Sequence, residues 1–270
     1  VMRLILWVDH RRSRPKLGKK SFSFICKDEN FNGRRFSMSY TAEQTQKLML
    51  SALAKSADTF DLSFSLTDAG VEERLLVGWW TENAPVLGIR EFALQWGMSS
   101  AMVDRWMADS EDSDGVGITV NRSMSSARIY THHWNRTSPS ELGAVIYRGY
   151  KALPDSTVRI DDYQYCGDLR DKENLEFAKE NSSHPDWLDR IIKVAPADRP
   201  LVFSRISGPG RLSWLATVRH ANLDSSDFLG AQPQRRKLLH LAGGIDATKG
   251  RFDTVYVSAS FKSASNFLSF

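Results

Sequence analysis

Apolar positions recur along this chain with two different periods, and the alternating period dominates. Met2 to Val8 is a short branched and aromatic run that predicts a buried strand. Ser21 to Cys26 and Arg35 to Tyr40 alternate about Asn32-Gly33, which predicts a hairpin. Further strands are predicted at Phe60 to Leu66, Arg74 to Trp80, Ile118 to Val120 and Ala127 to Thr131. Leu201 to Ile206 and Leu212 to Val218 form a pair joined by Gly208-Pro209-Gly210, and Phe252 to Phe261 is the final strand.

Helical spacing is confined to a few segments. Thr41 with Gln44 is a capping box, and Leu48, Met49, Ala52 and Leu53 carry that helix to about Ala57. Ile89 to Ala108 is the longest helical region. Glu141 to Leu153 reads as a helix stopped by Pro154, and Pro233 to Leu241 as a helix with proline in its first turn. Leu175 to Lys179 and Trp187 to Val194 are short helices. The order describes an α+β protein with a mostly antiparallel sheet. The acidic stretch Asp109 to Gly117 divides it into residues 1–115, with a helical hairpin at 89–108, and residues 116–270.

Composition narrows the class without naming it. Apolar residues are 41% and charged residues 25% of 270, which excludes wholesale disorder, collagen-like repeats and a long coiled coil. No apolar run approaches the roughly 20 residues of a spanning helix, and basic residues follow Val8 too soon for a leader, so a cytoplasmic chain with no membrane partner is expected. Cys26 and Cys166 form no disulfide framework and no zinc spacing; neither a metal nor a cofactor is expected. The net charge of +4 permits an anionic partner. Its distribution is sharper: Arg11, Arg12, Arg14, Lys16, Lys19 and Lys20 stand with His10 in a segment without acids, and Arg34 and Arg35 follow.

The segment from Leu238 through Gly243-Gly244, Lys249-Gly250-Arg251 and Phe252 brings paired glycines and two cations together before a strand. Glycines let a backbone approach phosphate and offer its amides. This segment resembles the glycine-rich loop of the RAMP superfamily of CRISPR-associated RNA-binding proteins. The resemblance implies ferredoxin-like (RRM-type) domains, RNA as partner within a ribonucleoprotein complex, and metal-independent endoribonuclease chemistry giving a 2′,3′-cyclic phosphate. It places catalytic candidates just after the first strand, at His10, Arg12 and Arg14, with His132 and His133 as alternative acid–base groups. Arg11, Lys16, Arg34, Arg35, Arg90, Arg105, Gly243, Gly244, Lys249 and Arg251 are the implied RNA contacts.

Two other function classes stay open. Ile89 to Ala108, with Ala93, Gly97, Val103 and Trp106, has the spacing of a helix-turn-helix, the mark of a DNA-binding regulator, and equally of a structural helical hairpin. Eight tryptophans suit a protein-binding, immunity-type module without catalysis.

Overall fold

The strands carry their apolar side chains on one face and a mixture of serines, charges and tyrosines on the other. In β1 (Thr59–Thr67), Leu62, Phe64 and Leu66 join the main hydrophobic core, while Asp61, Ser63 and Ser65 face an internal space. That arrangement suits a sheet whose polar face is enclosed. The computed structural model describes residues 41–133, 141–152, 158–229, 236–247 and 249–269.

Ten antiparallel strands close into a barrel. After β1 come β2 (Gly70–Trp80), β3 (Gly115–Asn121), β4 (Ala127–His132), β5 (Val145–Ala152) and β6 (Val158–Asp168). They are followed by β7 (Val202–Gly208), β8 (Arg211–Thr217), β9 (Leu238–Asp246) and β10 (Gly250–Ser258). Each strand pairs with its sequence neighbour, and β10 returns to β1 in a register from Asp61↔Ser258 to Thr67↔Phe252. Closure removes both sheet edges.

Helix α1 (Ala42–Leu53) precedes the first strand and α7 (Phe261–Leu268) follows the last, while α2 (Val86–Gln95), α3 (Ser100–Glu111), α4 (Lys172–Glu180), α5 (Asp186–Val194) and α6 (Ser226–Leu229) intervene between hairpins. Their apolar stripes (Leu50; Ile89, Phe92 and Ala93; Val103 and Trp106; Leu188 and Ile191; Ala264 and Phe267) cover the outward face of the strands and form the principal core. Thr41 caps α1 with the reciprocal Gln44 bonds its sequence predicts.

This architecture corrects the expected ferredoxin-like sheet. Strands from both sides of residue 115 contribute to one closed barrel. Two segments read as helices hold strands among their described residues: Val145–Ala152 of the first is β5, and Leu238 to Leu241 of the second lie in β9. The reason is a break in the alternation. Ile146 and Tyr150, like Leu238 and Ala242, are buried four residues apart as in a helix stripe, but a register shift at Val145/Tyr147 and another at Tyr256/Val257 put Tyr150 and Leu238 in the outer core and Ile146 and Ala242 in the inner cluster. Among the described residues no helix is long and apolar enough to cross a membrane.

Candidate active site

The lumen has two compartments of opposite character. At one end six cations line the wall: Arg74, Arg128, Lys151, Arg159, Arg211 and Lys249. They project from β2, β4, β5, β6 and β8 and from the β9–β10 connection at Lys249, because in each strand the charged residue occupies the inward phase of the alternation. Their side chains fill this end and leave only about 50 Å³.

Three carboxylates organise these cations. Asp161 on β6 lies 2.8 Å from Arg128 Nη2, 2.7 Å from Arg211 Nη1 and 3.0 Å from Arg159 Nε. Asp246 meets Arg159 Nη1 at 2.8 Å. Glu72 accepts from Arg74 Nε at 3.1 Å, from Asn121 Nδ2 at 3.1 Å and from Lys249. Burial by itself raises a carboxyl pKa. At Asp161 the guanidinium groups of Arg128, Arg211 and Arg159 overcome it and hold the group below its usual value; Arg74 and Lys249 bring Glu72 to about 2. Six cations against three carboxylates leave an excess of positive charge. No carboxylate among the described residues pairs with Lys151, whose pKa falls to about 7 through burial and the nearby Arg128, Lys249 and Arg159.

The other compartment is a wider cavity of about 410 Å³ with aromatic and aliphatic walls. Trp79, Trp80, His132, Tyr147, Tyr163, Leu215 and Leu239 line it. His132 and Tyr147, opposite each other on β4 and β5, stack at 4.6 Å and 10°. Tyr163 meets Tyr147 edge-on at 5.7 Å and Tyr130 at 6.4 Å. Burial, reinforced at His240 by Arg219 and His132, lowers both His132 and His240 to about 4, so these rings are neutral at physiological pH. Asp61 also faces this cavity. Its carboxyl has no hydrogen bond or ion pair to another described residue, and burial raises the carboxyl pKa to about 7.

Leu76, Tyr130 and Tyr256 line both compartments and mark the boundary between them. Arg128 Nη1 donates to the hydroxyls of Tyr130 and Tyr163, each at 3.2 Å, and so ties the tyrosine layer to the cationic end. Burial raises the phenol pKa of both Tyr163 and Tyr256. A polyanion at one end and a flat apolar molecule at the other would meet across this layer.

Of the residues singled out by sequence, Lys249 and His132 line the lumen. His10, Arg11, Arg12, Arg14, Lys16, Arg34 and Arg35 lie outside the described residues. Arg90 bonds Glu91 on α2, and Arg105 is exposed on α3. His133 shares a 3.0 Å hydrogen bond with Thr131. Arg251 donates to the carbonyls of Glu180 and Ser182 outside the barrel. Gly243 and Gly244 lie within β9 rather than at a helix end. Gly243 is paired with Trp214, and a Cβ on Gly244 would stand 2.3 Å from that of Ser213.

Sequence reasoning missed Asp61, Arg74, Arg128, Lys151, Arg159 and Arg211. The signal was present, as charges at alternate positions of otherwise apolar strands: Phe60-Asp61-Leu62, Arg128-Ile129-Tyr130 and Arg159-Ile160-Asp161. Such a pattern describes a charged interior only once the sheet is known to close.

No family model matches the chain, and no curated protein matches it. Solved structures do. A 5-dimethylallyl tryptophan synthase from Streptomyces coelicolor, in complex with DMASPP and Trp, is 12% identical with a TM-score of 0.54, over 82% of this chain and 94% of that one. A 6-dimethylallyltryptophan synthase from Micromonospora olivasterospora, also with DMASPP and Trp, is 13% identical with a TM-score of 0.53, over 84% and 96%. The prenyltransferase PriB, in a ternary complex with L-tryptophan and dimethylallyl thiolodiphosphate, is 13% identical with a TM-score of 0.52, over 82% and 96%.

These likenesses, with the closed barrel, overturn the reading of an RNA-binding endoribonuclease in a ribonucleoprotein complex. The glycine segment that carried it is a barrel hairpin. The segment with helix-turn-helix spacing is the α2–α3 hairpin, packed against the outside of the barrel through Ile89, Phe92, Val103 and Trp106, as the structural reading of that spacing has it. The fold of this chain is that of the prenyltransferase barrels.

Proposed function

We propose that this barrel transfers a prenyl group from a prenyl diphosphate to an aromatic acceptor. The observation that carries the reading is the contact of two unlike compartments, one cationic and one aromatic-walled, across Tyr130 and Tyr256. A diphosphate monoester carries close to the charge that the six cations and three carboxylates leave unbalanced, and arginines bind phosphate oxygens in pairs. Likeness to barrels solved with a dimethylallyl thiolodiphosphate and tryptophan supports the same substrate classes.

The residues suit the steps of that reaction. The bond between the allylic carbon and the diphosphate oxygen breaks, and its electron pair leaves with the diphosphate, where the cations stabilise the charge. The allylic cation lies against tyrosine faces, which attract it by their quadrupoles and exclude water. A ring carbon of the acceptor supplies the electrons of the new C–C bond. The proton released from that carbon passes to Asp61, a carboxylate whose pKa of about 7 suits a base near neutrality.

Incubation with dimethylallyl diphosphate and a panel of aromatic acceptors, indole and L-tryptophan among them, tests the reading. The expected result is an acceptor heavier by one C5H8 unit with stoichiometric release of inorganic diphosphate. Failure to bind inorganic diphosphate, together with no product from any acceptor, would overturn it.

A further inference from the structure

The carboxylate at the centre of the cationic compartment poses a physical question. An anion-binding site gains Coulomb attraction from every cation and loses it to every carboxylate, yet Asp161 is fully buried among the arginines. Its position in the barrel supplies the answer. In the order β4-β5-β6-β7-β8, Asp161 stands on the middle strand, Arg128 two strands to one side and Arg211 two strands to the other. Oδ2 meets both of these arginines, at 2.8 and 2.7 Å, and Oδ1 faces Arg159 Nε at 3.0 Å. Three guanidinium groups that repel one another are thereby drawn to a single point.

The backbone makes room for this arrangement. A Cβ on Gly208 of β7 would stand 2.3 Å from Asp161 Oδ1, so the glycine leaves the space that the carboxylate occupies. Gly208 has no left-handed φ to account for it. The nearest excluding contact is Asp161, and the carbonyl oxygen of Ile160, 3.1 Å from the same Cβ position, closes the space behind it.

We propose that Asp161, with the space left by Gly208, is a positioning residue that preorganises Arg128, Arg159 and Arg211 to clamp a diphosphate. It acts through the arginines and touches no substrate. The inference rests on the prenyl-diphosphate reading, and it reverses the sign that charge alone predicts. Asp161→Asn makes the compartment more positive, which by Coulomb attraction alone tightens an anion; loss of the shared negative charge, with one acceptor oxygen replaced by an N–H donor among the guanidinium groups, instead lets the arginines separate and weakens it. Gly208→Ala changes no charge at all and displaces the carboxylate by contact.

Calorimetric titration with inorganic diphosphate and, separately, with indole decides the matter. Wild type should bind diphosphate, and both Asp161→Asn and Gly208→Ala should bind it at least about tenfold more weakly, since truncating one partner of a buried charge pair is costly. Indole affinity should stay within about twofold in both, because the aromatic compartment does not contain these groups. Unchanged or tighter diphosphate binding in folded Asp161→Asn overturns the inference, as does a parallel loss of indole binding. If Asp161→Asn does not fold, Gly208→Ala decides alone, and unchanged affinity there overturns it. A wild type that binds no diphosphate removes the prenyl-diphosphate reading and this inference with it.

Discussion

Trp106 on α3 donates its indole Nε1–H to the main-chain carbonyl of Tyr130 on β4, at 3.1 Å. A helix outside the barrel is thus fixed to the strand whose tyrosine ring separates the two compartments inside it. Trp106 is fully buried, with Val103 beside it in the same core. The α2–α3 hairpin is therefore cladding on which the geometry of the lumen depends.

Trp106→Ala should cost about 3–5 kcal/mol of stability through the cavity it leaves. Trp106→Phe keeps most of the apolar volume and should cost about 1–2 kcal/mol for the lost hydrogen bond and the smaller ring. Denaturant unfolding monitored by far-ultraviolet circular dichroism measures both. A Trp106→Ala protein as stable as wild type would show that the hairpin does not hold the barrel.

Asp61 offers a test in which stability and activity move in opposite directions. Its folded pKa of about 7 lies above the unfolded value of 3.8, so the folded chain binds the extra proton between those limits. Stability contributed by that proton is complete below about pH 4 and lost as pH rises through 7. Asp61→Asn should therefore match wild type at pH 4 and exceed it at pH 8 by roughly 2–4 kcal/mol, while prenyl transfer falls about 10²- to 10⁴-fold. Thermal melts at the two pH values, paired with product assays, test both arms.

Lys151 should make diphosphate binding consume protons. Its pKa of about 7 leaves much of it neutral at pH 8, and a polyanion seated among its neighbours favours the charged form. Calorimetry at pH 8 in buffers of different ionisation enthalpy should show net proton uptake by wild type and a clear decrease for Lys151→Met. Equal uptake in the two proteins would assign the proton to another group.

Gly244 should tolerate no side chain, for reasons of fold. Its φ of 151° is one that L side chains rarely adopt, and a Cβ would stand 2.4 Å from the carbonyl oxygen of Leu212 and 2.3 Å from the Ser213 Cβ. Gly244→Val should destabilise by about 3 kcal/mol or more, from backbone strain and overpacking together. Urea midpoints give the measure; a midpoint within error of wild type would mean that β8 and β9 separate more easily than their register implies.

The chain's local chemistry was legible without a structure. The strands β1 to β4, the β7–β8 pair, the capping box of α1 and the short helices α4 and α5 follow from alternation, turn residues and 3.6-residue spacing, all of which act between near neighbours. Where a register shift breaks the alternation, as beside Ile146 in β5, buried residues four apart imitate a helix stripe although they lie on opposite faces of the sheet. Closure lay beyond it altogether, because an open and a closed antiparallel sheet share the same alternation, and only the pairing of the first barrel strand with the last, Leu62 with Val257 in its register, distinguishes them. The site depends on that closure. Arg128, Asp161, Arg211 and Lys249 each read as one charge on one strand or turn, and become a single cationic compartment only when the barrel curls their shared face inward, where the low dielectric makes every pairing count.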